Sequence, residues 1–161
     1  MLYKRLRGII MNRKITIALD GPSGSGKSTV AKRLSQELDI LYLDTGAMYR
    51  AVALEAIKRG VDTFDEKGVS EFIGDLDLEI KYENGAQRTI LDGEDVSEKI
   101  REPQVSMAAS NVSSLKCVRL KMVEMQRKIA SEGSCVLDGR DIGSYVLPDA
   151  DYKFFVTAGV D

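Results

Sequence analysis

The stretch Gly21-Pro22-Ser23-Gly24-Ser25-Gly26-Lys27-Ser28-Thr29 decides the fold of this chain, because it fits the pattern G-x-x-x-x-G-K-[ST]. The apolar run at residues 15–19 precedes it and is typical of a buried strand. The glycines of such a loop let backbone N–H groups turn inward, and the following helix points its positive N-terminus at the same place. The pattern therefore predicts a phosphate-binding loop. The predicted core face of the helix consists of Val30, Ala31, Leu34 and Leu38.

The charged and hydroxyl residues of this loop predict its ligands. Lys27 brings a full positive charge to the β- and γ-phosphates of a nucleoside triphosphate, and Ser28 offers a hydroxyl to Mg²⁺. The alternative is a flexible Gly/Ser turn. The predicted nucleotide-binding residues are Gly21, Pro22, Ser23, Gly24, Ser25, Gly26, Lys27, Ser28 and Thr29.

The composition is that of a soluble globular protein: 161 residues, 43% hydrophobic and 30% charged, with a formal net charge of −2. Bulk charge does not suggest nucleic-acid binding. No apolar run approaches the length of a membrane span, and the N-terminus lacks a signal-like apolar region, so we expect a cytoplasmic protein. Cys117 and Cys135 stand far apart, which argues against a zinc knuckle or a disulfide framework. The chain has no histidine, so its chemistry must work without the commonest general base.

Strand and helix patterns alternate along most of the chain. Residues 41–44 are predicted to form a strand, and Thr45 is predicted to cap a helix that ends before Gly60. Residues 135–138 and 152–156 read as further buried strands. This alternation predicts a parallel, doubly wound α/β sheet. A long helix before the strand at 135–138 is predicted to bury Leu115, Val118, Met122, Met125 and Ile129.

A β-hairpin interrupts this alternation. Residues 78–83 alternate between apolar and charged side chains, and Asn84-Gly85 supplies a tight turn before the strand at 88–91. We therefore assign residues 62–102 to an inserted antiparallel subdomain and residues 14–61 and 103–161 to the core. Residues 1–13 form an N-terminal extension. Met11 could be the natural start, with residues 1–10 as upstream read-through, or the extension could be genuine.

Two further motifs carry a resemblance to a known family. Asp44-Thr45-Gly46-Ala47-Met48-Tyr49-Arg50 and Asp138-Gly139-Arg140-Asp141-Ile142-Gly143 resemble signatures of bacterial cytidylate kinases. Residues 91–96 and 108–112 resemble the same family, and the match runs from about Ile15 to Val156. The resemblance implies a P-loop α/β fold whose insertion binds a nucleoside monophosphate. It also implies phosphoryl transfer from ATP to CMP and dCMP, assisted by Mg²⁺.

The resemblance assigns catalytic roles to Lys27, Arg140 and Arg50. Guanidinium groups bind phosphate bidentately, which suits both arginines to the acceptor phosphate. Without the family match, Arg50 could instead lie on the solvated side of its helix. Asp138, at the end of a strand, resembles a Walker-B carboxylate that holds Mg²⁺ together with Ser28; the alternative is an Asx turn with Gly139.

The resemblance assigns Thr45, Ser110, Arg119 and Asp141 to the substrate, the last three to the base. A carboxylate accepts a hydrogen bond from N4 of cytosine, whereas uracil would place O4 against the same anion. Alternatively, Asp141 caps a helix and Arg119 pairs with Glu124 or Glu55.

Members of this family continue past the position of Asp161 into an arginine-rich lid, a fifth strand and a final helix. The resemblance therefore implies that the lid and the last strand are missing here, and that turnover would fall. A monomer that binds only small nucleotides, without nucleic acid or membrane, is the expectation. Two alternatives stay open: a non-catalytic nucleotide-binding remnant, and another P-loop kinase of the uridylate or shikimate type.

Overall fold

The computed structural model describes residues 13–159, which fold into two compact units. The first unit takes residues 13–44 and 126–159 of this part, and the second is Thr45–Met125. The extension predicted for residues 1–13 lies, apart from Arg13, outside the described residues. Within these residues, the helices are too short and too polar for any of them to cross a membrane.

The first unit is built on a four-stranded sheet. Its strands are β1 (Thr16–Asp20), β2 (Leu41–Asp44), β6 (Cys135–Gly139) and β7 (Tyr152–Phe155), in the order β2-β6-β1-β7. Every neighbouring pair is parallel, which confirms the predicted parallel sheet. The prediction that residues 152–156 form a buried strand is wrong as to burial, since all four residues of β7 are exposed. Because Asp20 is level with Gly139 and Asp44 with Asp138, the carboxyl ends of β1, β2 and β6 share one edge.

Helix α1 (Lys27–Leu38) packs on this sheet through a narrow apolar face. Leu34 and Leu38 lie against the apolar cluster around β1, as predicted, and Ala31 is fully buried within it. Val30 was predicted to share this face but is 42% exposed. The cluster consists of Ile15, Ile17, Leu19, Ala31, Ile40 and Val136.

The second unit begins with α2 (Thr45–Lys58), the most buried helix of the described chain, whose residues 51–56 are all inaccessible to solvent or nearly so. The helix begins at Thr45 itself, so this residue lies within the first turn rather than before it. The helix ends as predicted: Gly60 has a φ of 65°, and Val61 N–H donates to the Ala56 carbonyl at 2.9 Å. A residue in the left-handed conformation closes the helix, and glycine adopts this conformation without strain.

The antiparallel sheet of the second unit confirms the predicted hairpin. Strands β3 (Leu78–Glu83) and β4 (Ala86–Leu91) pair across Asn84 and Gly85, whose φ values are 51° and 75°. Two successive positive φ angles define the turn that matches the twist of paired strands. The short strand β5 (Glu94–Asp95) adds to the free side of β4.

The rest of the second unit is helical: α3 (Glu66–Ile73), a short 3₁₀ helix (Lys99–Arg101), α4 (Pro103–Val112) and the first part of α5 (Lys116–Ser131). Helix α4 was not predicted, although Pro103 at its first turn is a typical start signal. The apolar face predicted for this helix is confirmed in part. Val118 and Met122 are fully buried, and Leu115 is buried just before α5, but Met125 and Ile129 are only half-buried. The hairpin lies within the predicted insertion 62–102, whose boundaries remain a prediction. The two compact units divide the chain at Thr45 and Gln126.

Candidate nucleotide-binding site

The glycine-rich loop joins the carboxyl end of β1 to the first residue of α1. Gly21, Gly24 and Gly26 have φ values of 151°, 76° and 85°, a region that other residues rarely adopt. Gly21 is also sterically required, because a Cβ there would collide with the carbonyl oxygen of Val156. The loop therefore has the backbone freedom that a phosphate cradle needs.

The N-terminus of α1 has the electrostatics of an anion site. Gly26 precedes the helix without a side-chain cap, and the first turn contains no acidic residue. The first amides of α1 thus keep the positive end of the helix dipole unneutralised. Lys27 Nζ reaches back over the loop to donate to the Pro22 carbonyl at 3.2 Å. These features favour a phosphate group at this position.

A buried carboxylate lies at the neighbouring strand end. Asp138 is 3% exposed, and its Oδ2 accepts a 2.7 Å hydrogen bond from the hydroxyl of Tyr42. Burial, together with the charge of Asp44, raises the pKa of Asp138, while the hydroxyls of Tyr42 and Ser28 and the charge of Lys27 act to lower it. Burial is also the main reason that the pKa of Tyr42 is raised. Sequence reasoning missed Tyr42, which carries no motif of its own.

The oxygen atoms gathered here suit a hard cation. Ser28 lies close enough to lower the pKa of both Tyr42 and Asp138, so its hydroxyl and the Asp138 carboxylate belong to one cluster. Within residues 13–159, no three His, Cys, Asp or Glu side chains are grouped as a metal cage. Mg²⁺ characteristically uses one or two carboxylates together with water and substrate phosphates, so the residues present fit that ion.

Asp20 is a second residue that sequence reasoning missed. It ends β1, and its carboxylate accepts the N–H groups of Ile142 and Gly143 at 2.7 and 2.8 Å. The predicted substrate residues Arg140 and Asp141 immediately precede this pair. The only sequence signal for Asp20 is an acidic residue ending an otherwise apolar strand before a glycine loop.

Arg140 and Asp141 form the link between β6 and a π-helical turn (Ile142–Val146). Arg140 is exposed and Asp141 half-buried. The backbone carbonyl of Asp141 accepts the N–H groups of Tyr145 and Val146, but its side chain does not cap the turn. The capping alternative for the Asp141 side chain is therefore wrong.

The remaining predicted substrate residues belong to the second unit. Thr45 is buried in the first turn of α2, and Arg50 is half-buried on the same helix. Ser110 is exposed on α4, and Arg119 is half-buried on α5. Glu55, one alternative partner for Arg119, forms an ion pair with Arg59 on its own helix. The substrate roles of these four residues remain predictions.

A parallel sheet whose first strand runs through a glycine loop into an uncapped, lysine-bearing helix defines a P-loop protein of the nucleotide-binding class. A family model described as "Cytidylate kinase" matches residues 17–161. The chain belongs to the cytidylate kinase family.

Curated relatives carry the same name. The cytidylate kinase of Pelotomaculum thermopropionicum is 54% identical over 149 residues, which cover 92% of this chain and 66% of that protein. The cytidylate kinase of Clostridioides difficile is 51% identical over 144 residues, covering 89% of this chain and 65% of the relative. That of Caldicellulosiruptor bescii is 49% identical over 146 residues, covering 91% and 65%. The chain thus spans just under two thirds of the length of these relatives.

Proposed function

We propose that this protein transfers the γ-phosphoryl group of ATP to the phosphate of CMP, and of dCMP, to give ADP and the corresponding diphosphate. The reaction would serve pyrimidine nucleotide metabolism in the cytoplasm. The observation that carries the proposal is the uncapped N-terminus of α1 with Lys27 folded over the glycine loop. Family membership and the names of the relatives support CMP as the acceptor.

The transfer needs no general base. The second pKa of a phosphate monoester is about 6, so the attacking oxygen is already largely deprotonated at neutral pH. This suits a chain without histidine. Catalysis then consists of positioning and charge neutralisation.

Each catalytic residue neutralises charge at a particular phosphate. Lys27 and the loop amides bind the β- and γ-phosphates of ATP. Arg140 and Arg50 hold the acceptor phosphate as bidentate donors. Ser28 and Asp138 would hold Mg²⁺, which when bound neutralises charge on the transferring group.

The base would be selected by polar complementarity. Asp141 accepts a hydrogen bond from N4 of cytosine, and Arg119 and Ser110 donate to its N3 and O2. Thr45 completes the substrate-binding set. UMP would place an acceptor against the Asp141 carboxylate, and mismatched polar groups of this kind discriminate strongly.

The proposal is tested by binding and by phosphoryl transfer with CMP, dCMP, UMP and shikimate as acceptors, in the presence of ATP and Mg²⁺. Lys27→Met should lower the rate of phosphoryl transfer by about a hundredfold or more, because it removes a positive charge that stabilises the negative charge developing in the transition state. Lys32→Met is the matched control, since Lys32 is an exposed lysine on the same helix.

Three results would contradict the proposal in different ways. Preferred transfer to UMP or shikimate would assign the chain to another P-loop kinase. ATP and CMP binding without any transfer would make it a nucleotide-binding protein only. Equal loss of transfer in the two lysine variants would remove the special role of Lys27.

A further inference from the structure

The proposed function assigns no role to Asp20, whose carboxylate is buried. It is 9% exposed at the carboxyl end of β1. Oδ1 accepts the N–H of Ile142 at 2.7 Å, and Oδ2 accepts the N–H of Gly143 at 2.8 Å. Both oxygens are thus committed to two successive amides of one distant segment.

Asp20 contacts the chain on both sides of Arg140 and Asp141, the two residues between β6 and the π-helical turn. On one side, Gly139 is the register partner of Asp20 in the parallel pair of β1 and β6. On the other side, the Asp20 carboxylate holds Ile142 and Gly143. The intervening Arg140 and Asp141 therefore form a two-residue link. The register of β1 and β6 fixes its first end, and the Asp20 carboxylate holds its second end.

The local environment makes this arrangement hard to replace. Ile142 is 1% exposed and Gly143 is also buried, so their amides have little access to water. Hydrogen bonds to an ionised acceptor are stronger than neutral ones, and a buried amide without a partner is costly. A Cβ on Gly143 would lie 3.3 Å from Asp20 Oδ2 and 3.2 Å from the Lys153 side chain, so the close approach depends on glycine.

A second contact holds the far end of the same turn. Arg127 donates from Nε to the Val146 carbonyl and from a terminal nitrogen to the Tyr145 carbonyl, each at 2.9 Å. Its guanidinium also lies over the Tyr145 ring, 5.9 Å from the centroid. Arg127 acts on the end distant from Arg140 and Asp141, whereas the Asp20 carboxylate acts on the near end.

We propose that Asp20 is a positioning residue that holds Arg140 and Asp141 in place for recognition of the cytidine monophosphate. The inference rests on the proposed function for the roles of those two residues. The hydrogen bonds from the amides of Ile142 and Gly143 to Asp20 lie within the first unit and do not depend on the proposed function.

The test compares Asp20→Asn with Asp151→Asn. Asp151 is a matched control, because its carboxylate also accepts a backbone amide within the first unit, that of Thr16 at 2.9 Å, but at the start of β7. The measurements are the dissociation constants of CMP, UMP and MgADP, the melting temperature, and backbone amide exchange by NMR.

In Asp20→Asn, exchange at the Ile142 and Gly143 amides should become about tenfold faster, since a charge-assisted hydrogen bond is lost. The preference for CMP over UMP should fall by about fivefold or more, while MgADP affinity stays within about twofold of the wild type, because the glycine loop keeps its own contacts. Asp151→Asn should lower the melting temperature without either change.

Unchanged exchange and an unchanged CMP preference in Asp20→Asn would overturn the inference, as would the same changes in Asp151→Asn. A wild-type chain without preference for CMP would overturn the proposed function, and amide exchange would still decide whether Asp20 holds the segment. If Asp20→Asn does not fold, Gly143→Ala replaces it in the test. This variant keeps the Asp20 carboxylate, but the new Cβ would lie 3.3 Å from Oδ2 and should weaken its hydrogen bonds with the two amides. Unaltered exchange at Ile142 and unaltered CMP preference in that variant would also count against the inference.

Discussion

The hydroxyl of Tyr42 donates a 2.7 Å hydrogen bond to Oδ2 of Asp138, joining the adjacent strands β2 and β6 near their carboxyl ends. Tyr42 is level with Val136 in the register, so its ring extends along the sheet to reach Asp138 two residues further on. The carboxylate proposed to serve Mg²⁺ is therefore oriented by a side chain from the neighbouring strand.

Tyr42→Phe should lower the free energy of unfolding by about 1–3 kcal/mol, because it leaves a buried carboxylate with one donor fewer. Burial keeps the pKa of Asp138 above its ordinary value, and the hydrogen bond from Tyr42 opposes that rise by favouring the ionised form. The stabilisation from this hydrogen bond is therefore present while Asp138 is ionised and fades as the pH falls and Asp138 becomes protonated. Urea unfolding at several pH values measures the loss. Tyr152→Phe, at a tyrosine that is 51% exposed, is the control. Equal unfolding energies for Tyr42→Phe and wild type would refute the prediction.

Gly21→Ala should destabilise the chain by about 2 kcal/mol or more, since the new Cβ would meet a backbone carbonyl at a φ that other residues rarely adopt. Gly133→Ala should be close to neutral, because a Cβ there has no neighbour within 4 Å. Thermal unfolding of the two variants gives the comparison. A Gly21→Ala protein as stable as Gly133→Ala would contradict the steric reading of the loop.

Glu66→Gln should lower the melting temperature at neutral pH, because Glu66 accepts the first amides of α5, those of Lys116 and Cys117, at 2.9 and 2.7 Å. The hydrogen bonds from Cys117 are the main reason that the pKa of Glu66 lies below its ordinary value of 4.5. A lowered carboxyl pKa stabilises the fold above pH 4.5 and loses that effect as the pH falls through the folded value.

The difference in melting temperature between wild type and Glu66→Gln should therefore narrow on acidification below that pH. Glu71→Gln on the same helix, at an exposed position, provides the comparison. A constant difference across the pH range would show that the charge of Glu66 is not responsible.

Asp141→Asn should weaken CMP binding by about tenfold or more, and UMP binding by much less, because an amide loses the negative charge that faces N4 of cytosine but can donate to O4 of uracil. Asp149→Asn, an exposed neighbour in the chain, should leave both affinities unchanged. Calorimetric titration with the two monophosphates measures the ratio. If the CMP to UMP ratio does not move, Asp141 does not select the base.

Gln126→Met should raise the free energy of unfolding by about 1 kcal/mol, since a buried polar group without a partner is costly. Gln126 is 1% exposed, and within residues 13–159 neither of its amide atoms has a hydrogen-bond partner. Gln36→Met, at an exposed position of α1, should change stability little. A lower free energy of unfolding for Gln126→Met than for the wild type would contradict the prediction that the buried amide is a cost to stability.

Local patterns predicted most of the elements. The strand Leu41–Asp44 and the turn at Asn84 and Gly85 were predicted at the observed residues, because alternating or apolar runs and turn residues act over short distances. Strand β1 runs one residue further along than predicted, and α4 was missed although Pro103 marks its start. Boundaries depend on tertiary contacts as well as on local preference, which accounts for such shifts.

The sequence by itself determined the phosphate loop, the alternation of strands and helices and the family motifs, because each is written in residues that are neighbours along the chain. Only the tertiary structure decided the strand order β2-β6-β1-β7 and the partners of Asp20 and Tyr42. Those partners lie 122 and 96 residues away. A carboxylate accepts whichever donors the register of distant strands places beside it, and that register is set by packing of the whole sheet rather than by any short pattern.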